Sequence, residues 1–158
     1  MRLTLLALSL LTTAPAFALD AACETYLAAA EKSARQPARH SITVLDNGSK
    51  FEAIIIGGQF YANMDGKWRQ MPGAPLKGEL QMIEGIRSGT YPMTGCRQSG
   101  TETFDGVSTK VITYTLKISG GTAEETRTFI GSDGLVRGQT SGNTKVTHRY
   151  SGVKAPAI

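Results

Sequence analysis

Residues 107–118 read VSTKVITYTLKI, a run in which β-branched and aromatic side chains dominate. Residues two apart share one face of an extended chain. One face of this run therefore carries the large apolar side chains of Ile112, Tyr114, Leu116 and Ile118. The other face carries Val111, Thr113, Thr115 and Lys117. This alternation, with the high β-propensity of these residue types, predicts a strand with one core-facing side.

Short turn sequences rich in glycine, asparagine and aspartate divide the chain on both sides of this strand. They separate a first group of predicted strands, Ser41–Leu45, Lys50–Ile56, Gln59–Met64 and Lys67–Met71. They also separate a second group, Cys96–Phe104, Val107–Ile118, Glu124–Ile130, Leu135–Thr140 and Thr144–Tyr150. Asn-Gly and Asp-Gly pairs are typical of hairpin turns, so each group is predicted to form an antiparallel meander.

Two segments have a helical period instead. In residues 20–36 the apolar positions recur three and four apart and form one stripe, Cys23, Tyr26, Leu27 and Ala30. A second helix is predicted for Pro75–Arg87, because proline is favoured at the first helical position and apolar residues follow at helical spacing. The predicted fold class is α+β, mainly β: a curved antiparallel sheet with an N-terminal helix and a second short helix packed on its concave face.

The first 18 residues contain the three parts of a secretory signal peptide. Arg2 supplies the basic region, Leu3–Leu11 the apolar region, and Ala16-Phe17-Ala18 an A-x-A cleavage site. We expect cleavage after Ala18 and export to the periplasm. The mature chain, residues 19–158, has the length of one domain.

The sequence disfavours a lipid anchor, a stable membrane span and a nucleic-acid partner. Lipid attachment at Cys23 would need a leucine-like residue three positions earlier, where Asp20 stands. Beyond the signal peptide, no stretch is long and apolar enough to cross a bilayer. A formal charge of +4 over 158 residues is mild, and the basic residues are scattered rather than clustered.

Cys23 and Cys96 are the two cysteines of the chain, and in an exported protein they are expected to form a disulfide. A metal site would need more ligands, and His40 and His148 are the two histidines that could join them. For both histidines a structural or solvated role is the simpler interpretation. We therefore expect neither a metal nor an organic cofactor.

The sequence contains none of the common catalytic motifs. It has no G-x-S-x-G, no H-E-x-x-H and no C-x-x-C. Its aspartates fall mostly in predicted turns, at Asp46, Asp65, Asp105 and Asp133. Aspartate is common in turns for conformational reasons, so these residues do not indicate a paired general acid and base. We expect the protein not to be an enzyme.

In the order of these features the chain resembles the lipoprotein-localisation-factor superfamily, the LolA/LolB-like group. The resemblance rests on the segments GGQFYANMDGKW from Gly57, CRQSGTETFDGVST from Cys96, GSDGLV from Gly131 and YSGVKAP from Tyr150. It implies an unclosed antiparallel β-barrel, with helices covering the inside. It also implies a periplasmic carrier or binding module.

The ligand that the resemblance implies is a lipid, another hydrophobic small molecule or the acyl chain of a lipoprotein. A curved sheet with an apolar concave face must either fill that face with side chains or leave room for a guest. The residues predicted to contact the guest are Ile54, Ile56, Tyr61, Trp68, Ile112, Tyr114 and Leu116. Tyr61 and Trp68, on either side of a predicted Asp-Gly turn, are also compatible with simple cross-strand packing.

A second hypothesis stays open at this point: a protein-interaction or inhibitor module with a filled core, which uses an exposed strand edge or hairpin loop. An empty apolar cavity under the helices would favour the ligand-binding hypothesis. A filled core with a flat apolar surface patch would favour the interaction module.

Overall fold

The computed structural model describes residues 19–117, 121 and 123–158. The predicted signal peptide, Met1–Ala18, lies outside these residues, as do Ile118 and Gly120 of a predicted hairpin. The elements are α1 (Ala21–Ala34), β1 (Ala38–Val44), β2 (Lys50–Ile56), β3 (Gln59–Met64), β4 (Lys67–Met71), α2 (Pro75–Arg87), β5 (Met93–Phe104), β6 (Val107–Leu116), β7 (Glu124–Gly131), β8 (Val136–Ser141) and β9 (Thr144–Arg149).

The strands form one antiparallel sheet in the order β4-β3-β2-β1-β9-β8-β7-β6-β5. Both predicted meanders are confirmed, and the pairing of β1 with β9 joins them. β4 and β5 lie at the two edges, so α2, which connects them in sequence, carries the chain from one edge to the other. Irregular register within β5–β6 and β7–β8 adds local bends to the sheet. The predicted α+β class with a curved, unclosed sheet is confirmed.

The main core lies between the helices and one face of the sheet, which we call the inner face. α1 packs on β5, β6, β7 and β8 and also contacts α2. Its predicted apolar stripe is confirmed, since Cys23 and Leu27 are buried and Tyr26 and Ala30 pack against the same cluster. The other buried members of this cluster are Ala29, Ile83, Ile86, Met93, Ile112, Tyr114, Ile130 and Val136.

The opposite, outer face of the sheet has a small core of its own. Val111, paired with Phe129 in register, points away from the helices and is fully buried. Phe104, at the end of β5, stacks on Phe129 with a ring-centroid distance of 4.2 Å. Lys145 Nζ lies 4.8 Å from the centre of the Phe104 ring. β6 is therefore buried on both sides here, and not only on its large apolar side.

Cys23 and Cys96 form a disulfide, as predicted, with their Cα atoms 5.3 Å apart. The bond joins the first turn of α1 to β5, an edge strand of the sheet. Because the Cys23 sulfur is part of this bond, it is not available for lipid attachment. Within the described residues, neither helix is long and apolar enough to span a membrane.

Candidate ligand-binding cavity

The seven residues predicted to contact a ligand lie on both faces of the sheet. Ile112 and Tyr114 are buried on the inner face, and Leu116 packs against the same cluster. Ser41 also faces inward, where its Oγ lies 2.9 Å from His148 Nδ1. Its neighbour His40 therefore points outward.

The other four predicted residues share the outer face with His40. Ile54 pairs with His40 in register, and Tyr61 pairs with Ile54. Ile56 lies two positions after Ile54 and therefore shares its face. Trp68 pairs with Asn63, which lies two positions after Tyr61, so Trp68 is on this face as well. The His40 and Trp68 rings are 6.2 Å apart. The structure thus separates these four side chains from Ile112, Tyr114 and Leu116 by the thickness of the sheet, and a shared ligand contact for all seven stays a prediction.

A cavity of about 370 Å³ lies between α1, α2 and the inner face of the sheet. Its walls combine apolar side chains with a cluster of polar groups. The lining residues are Tyr26, Ala30, Ser33, Arg39, Gly78, Glu79, Met82, Ile83, Val136, Gln139, His148 and Tyr150. The predicted set is absent from this lining, although Tyr114 is one hydrogen bond away through Gln139.

Arg39 and Glu79 form an ion pair across the cavity, from β1 to α2. Both terminal nitrogens of the Arg39 guanidinium donate to the Glu79 carboxylate, with 3.0 Å from Nη1 to Oε2. The Arg39 side chain is only 13% exposed. Its Nε is buried and has no hydrogen-bond partner among the described residues. The Nε–H donor therefore stays unused beside a charge that is already paired.

A second polar group, centred on Gln139, lies beneath α1. Gln139 Nε2 donates to the hydroxyl oxygens of Tyr114 and Thr128, each at 3.1 Å, and lies 3.4 Å from the Tyr26 hydroxyl. Burial raises the pKa of Tyr114 well above its ordinary value. The Tyr114 phenol therefore remains neutral and acts as a hydrogen-bonding group.

His148 brings a neutral imidazole to the same cavity. Burial, and secondarily the nearby positive charge of Arg39, lowers the pKa of His148 from 6.5 to about 4. Tyr150 and Ser33 close this side of the cavity through hydrogen bonds to the backbone of Val136. The Tyr150 hydroxyl donates to the Val136 carbonyl at 2.7 Å, and the Val136 N–H donates to Ser33 Oγ at 2.9 Å. At neutral pH the lining carries one positive and one negative charge, those of Arg39 and Glu79.

The lowered pKa of His148 predicts a loss of stability on mild acidification. The unfolded chain takes up a proton on this histidine near pH 6.5, whereas the folded chain resists protonation until about pH 4. Stability is therefore fully present above pH 6.5 and falls as the pH is lowered through this window. Between pH 7.5 and pH 5 we expect a loss of about 1–2 kcal/mol from this group.

Urea unfolding at the two pH values measures this loss. His148→Gln should reduce the difference in unfolding free energy between them by about 1–2 kcal/mol. His40→Gln replaces the other histidine, on the outer face beside Glu52, and is measured in parallel as the matched substitution. An unchanged difference in His148→Gln would mean that other groups cause the acid sensitivity.

The polar residues of the cavity carry no signal in the sequence. Arg39 and Glu79 are 40 residues apart, and Ser41 and His148 are 107 apart. Such contacts depend on the pairing of β1 with β9 and on the path of α2, which local patterns do not specify. For His148, the sequence indicates only that the histidine lies inside a predicted strand.

Beyond the cavity, the inner face continues across the first meander as an apolar row. Arg39 pairs with Ile55, Ile55 with Phe60, and Phe60 with Met71 at the β4 edge. Paired residues in antiparallel strands share a face, so this row extends from the cavity to the edge of the sheet. Nearby on the same face, Phe51 is 55% exposed.

Compared as a sequence, the chain matches no protein-family model and no curated protein. Compared as a fold, it is similar to lipoprotein LppX of Mycobacterium tuberculosis, with a TM-score of 0.54 and 14% identity over 85% of this chain and 97% of that one. It is also similar to LprF of Mycobacterium bovis, with a TM-score of 0.53 and 9% identity over 86% of this chain and 96% of that one. At 14% and 9% identity, these two similarities show a shared fold.

Proposed function

We propose that this protein is an exported periplasmic binding protein without enzymatic activity, and that its ligand is a lipid or another hydrophobic molecule. The signal peptide is cleaved after Ala18, and residues 19–158 act as one domain. The observation that carries the proposal is the cavity of about 370 Å³ between the two helices and the inner face.

The size and the walls of the cavity fit a hydrophobic guest. Ligand pockets in proteins typically measure roughly 300–1,000 Å³ and are lined mainly by apolar groups with a few polar ones. Here Ala30, Met82, Ile83 and Val136 supply the apolar wall. The apolar row from Ile55 to Met71 extends this surface, which gives an acyl chain a path longer than the cavity itself.

The disulfide supports export. Disulfides form and persist outside the cytoplasm, and the Cys23–Cys96 bond fixes the helix that forms one wall of the cavity. The cavity also favours a binding protein over the interaction module with a filled core. In that second function the inner face would be occupied by the protein's own side chains.

Filling the cavity from α2 tests the proposal. Gly78 lines the cavity, and a Cβ atom at this position would meet nothing within 4 Å. Gly78→Trp should therefore place an indole in the cavity without a backbone clash. We expect the affinity for a fluorescent monoacylglycerol to fall at least tenfold, with the melting temperature nearly unchanged.

Gly78→Ala is the matched control, because it adds one methyl group and raises helix propensity by up to about 1 kcal/mol. It should bind the probe like the unsubstituted protein. Native mass spectrometry of protein purified from the periplasm should also detect a bound lipid. Failure of the delipidated protein to bind the probe, or equal binding by Gly78→Trp, would contradict the proposal.

A further inference from the structure

We propose that the Arg39–Glu79 pair selects the head group of the ligand: the cavity takes an acyl lipid whose head is an uncharged hydrogen-bond acceptor, such as an acylglycerol ester. A fatty-acid carboxylate or a phospholipid phosphate on the same chain should bind more weakly. This inference rests on the proposed function, because it specifies the ligand class of the same cavity.

The first step is the charge balance of the cavity. Among the described residues that line the cavity, Arg39 is the one cation, and both oxygens of Glu79 already face its terminal nitrogens. An anionic head group would have to lose its hydration beside a guanidinium whose charge Glu79 already neutralises. It would also lie close to the negatively charged Glu79 carboxylate itself. Burying a charge without a free partner is costly, so this arrangement disfavours anions.

The second step is the unused donor. Arg39 Nε is buried and unpartnered among the described residues, although it belongs to a side chain that lines the cavity. Leaving a buried N–H without an acceptor is unfavourable, because the group has lost its hydrogen bond to water. Because Nε is covered by protein atoms, an ester carbonyl or a hydroxyl oxygen on a guest could accept this hydrogen bond after a small shift of the Arg39 side chain, and it would bring no charge into the cavity.

The third step is the state of the remaining polar groups. The Tyr150 hydroxyl and Ser33 Oγ are already bonded to the backbone of Val136. The Nδ1 atom of His148 lies beside the Ser41 hydroxyl, and the imidazole is uncharged at neutral pH. None of these lining residues supplies a positive charge that could compensate an anionic head.

The experiment compares ligands that differ only in the head. Monooleoylglycerol, oleate and oleoyl-lysophosphatidylglycerol are titrated at pH 7.5 against the delipidated protein, by displacement of a fluorescent acyl probe. We expect monooleoylglycerol to bind at least tenfold more tightly than either anion. This ratio is measured in the unsubstituted protein and does not depend on any variant being folded.

Glu79→Gln then tests the cause. It leaves the Arg39 charge without a counter-ion, so oleate affinity should rise at least tenfold and the preference should shift toward the anion. Glu84→Gln is the matched control, because Glu84 is an exposed glutamate of α2 outside the cavity lining. It should leave the preference unchanged.

The possible results separate this inference from the proposed function. Tight binding of all three ligands with equal affinity, or a preference for oleate in the unsubstituted protein, overturns the head-group selection and leaves the binding function intact. An unchanged preference in folded Glu79→Gln also overturns it. Binding of none of the ligands overturns the proposed function itself.

Discussion

Removing the Cys23–Cys96 bond is expected to lower the free energy of unfolding by about 2–5 kcal/mol. The bond joins residues 73 apart in sequence, so its loss returns a long loop to the unfolded ensemble. Cys23 is also 1% exposed and belongs to the main core cluster. Urea unfolding of the oxidised protein and of Cys96→Ser measures the difference.

The effect should be larger in α1 than in the sheet. The N-terminal end of α1 is tied to the sheet by this bond, whereas its C-terminal end is held by two hydrogen bonds at the β7–β8 connection. Lys32 Nζ donates to the Asp133 carbonyl at 2.6 Å, and Ser33 Oγ accepts from the Val136 N–H at 2.9 Å. We expect the strands to keep their ladders of backbone hydrogen bonds when the disulfide is absent.

Hydrogen exchange after reduction distinguishes the two regions. We expect amides near Cys23 and Leu27 to lose protection first, while amides of β6 and β7 retain theirs. In Cys96→Ser, adding reductant should change nothing further, which controls for the reductant itself. An equal loss of protection in α1 and in β6 and β7 would mean that the bond stabilises the whole fold uniformly.

The strands were predictable because their turns are marked locally. Asp65 and Asp105 have positive φ values of 54° and 48°, and each is followed by a glycine that also has a positive φ. Asp-Gly pairs adopt this left-handed geometry at little cost, and it matches the twist of the flanking strands. The second helix was likewise predictable, with the observed bounds Pro75–Arg87, because Pro75 stands at its start.

The inward or outward direction of side chains was not predictable for the first meander. The segment Ile54-Ile55-Ile56 is apolar on both faces, so its composition does not indicate which face meets the helices. The pairing of Ile55 with Arg39 determines it, and places Ile55 rather than Ile54 on the inner face. The cavity depends on the same long-range strand pairing, which local sequence patterns do not specify. This is why its polar residues could not be predicted from the sequence.

Gly138→Ala is expected to lower the free energy of unfolding by about 3 kcal/mol or more, at the upper end of the usual cost of overpacking. Gly138 lies in β8, and a Cβ atom there would be 2.2 Å from the Val146 carbonyl oxygen in β9. It would also lie 2.4 Å and 2.5 Å from two carbons of the Phe104 ring. The carbonyl belongs to a paired backbone, and the ring is stacked on Phe129, so neither can move freely.

Gly131→Ala is the matched control in the neighbouring strand. A Cβ atom at Gly131 would approach Arg137 Nε at 2.8 Å and Asp133 Oδ1 at 2.9 Å. These atoms belong to two polar side chains rather than to the backbone or a stacked ring, so they can shift by a few tenths of an ångström. We therefore expect the control to cost clearly less, about 1 kcal/mol.

A double-mutant cycle with Phe104→Ala separates the two clashes at Gly138. Removing the ring should reduce the cost of Gly138→Ala, and the cost that remains reports the contact with the Val146 carbonyl. Both clashes lie on the outer face or in the backbone beside it, because Gly138 pairs with Phe129 of β7 and with Thr147 of β9 on that face. A free energy of unfolding for Gly138→Ala within about 0.5 kcal/mol of that of the unsubstituted protein would contradict the prediction. It would mean that β8 and β9 can separate locally, and that the close packing of Phe104 over β8 does not stabilise the outer face.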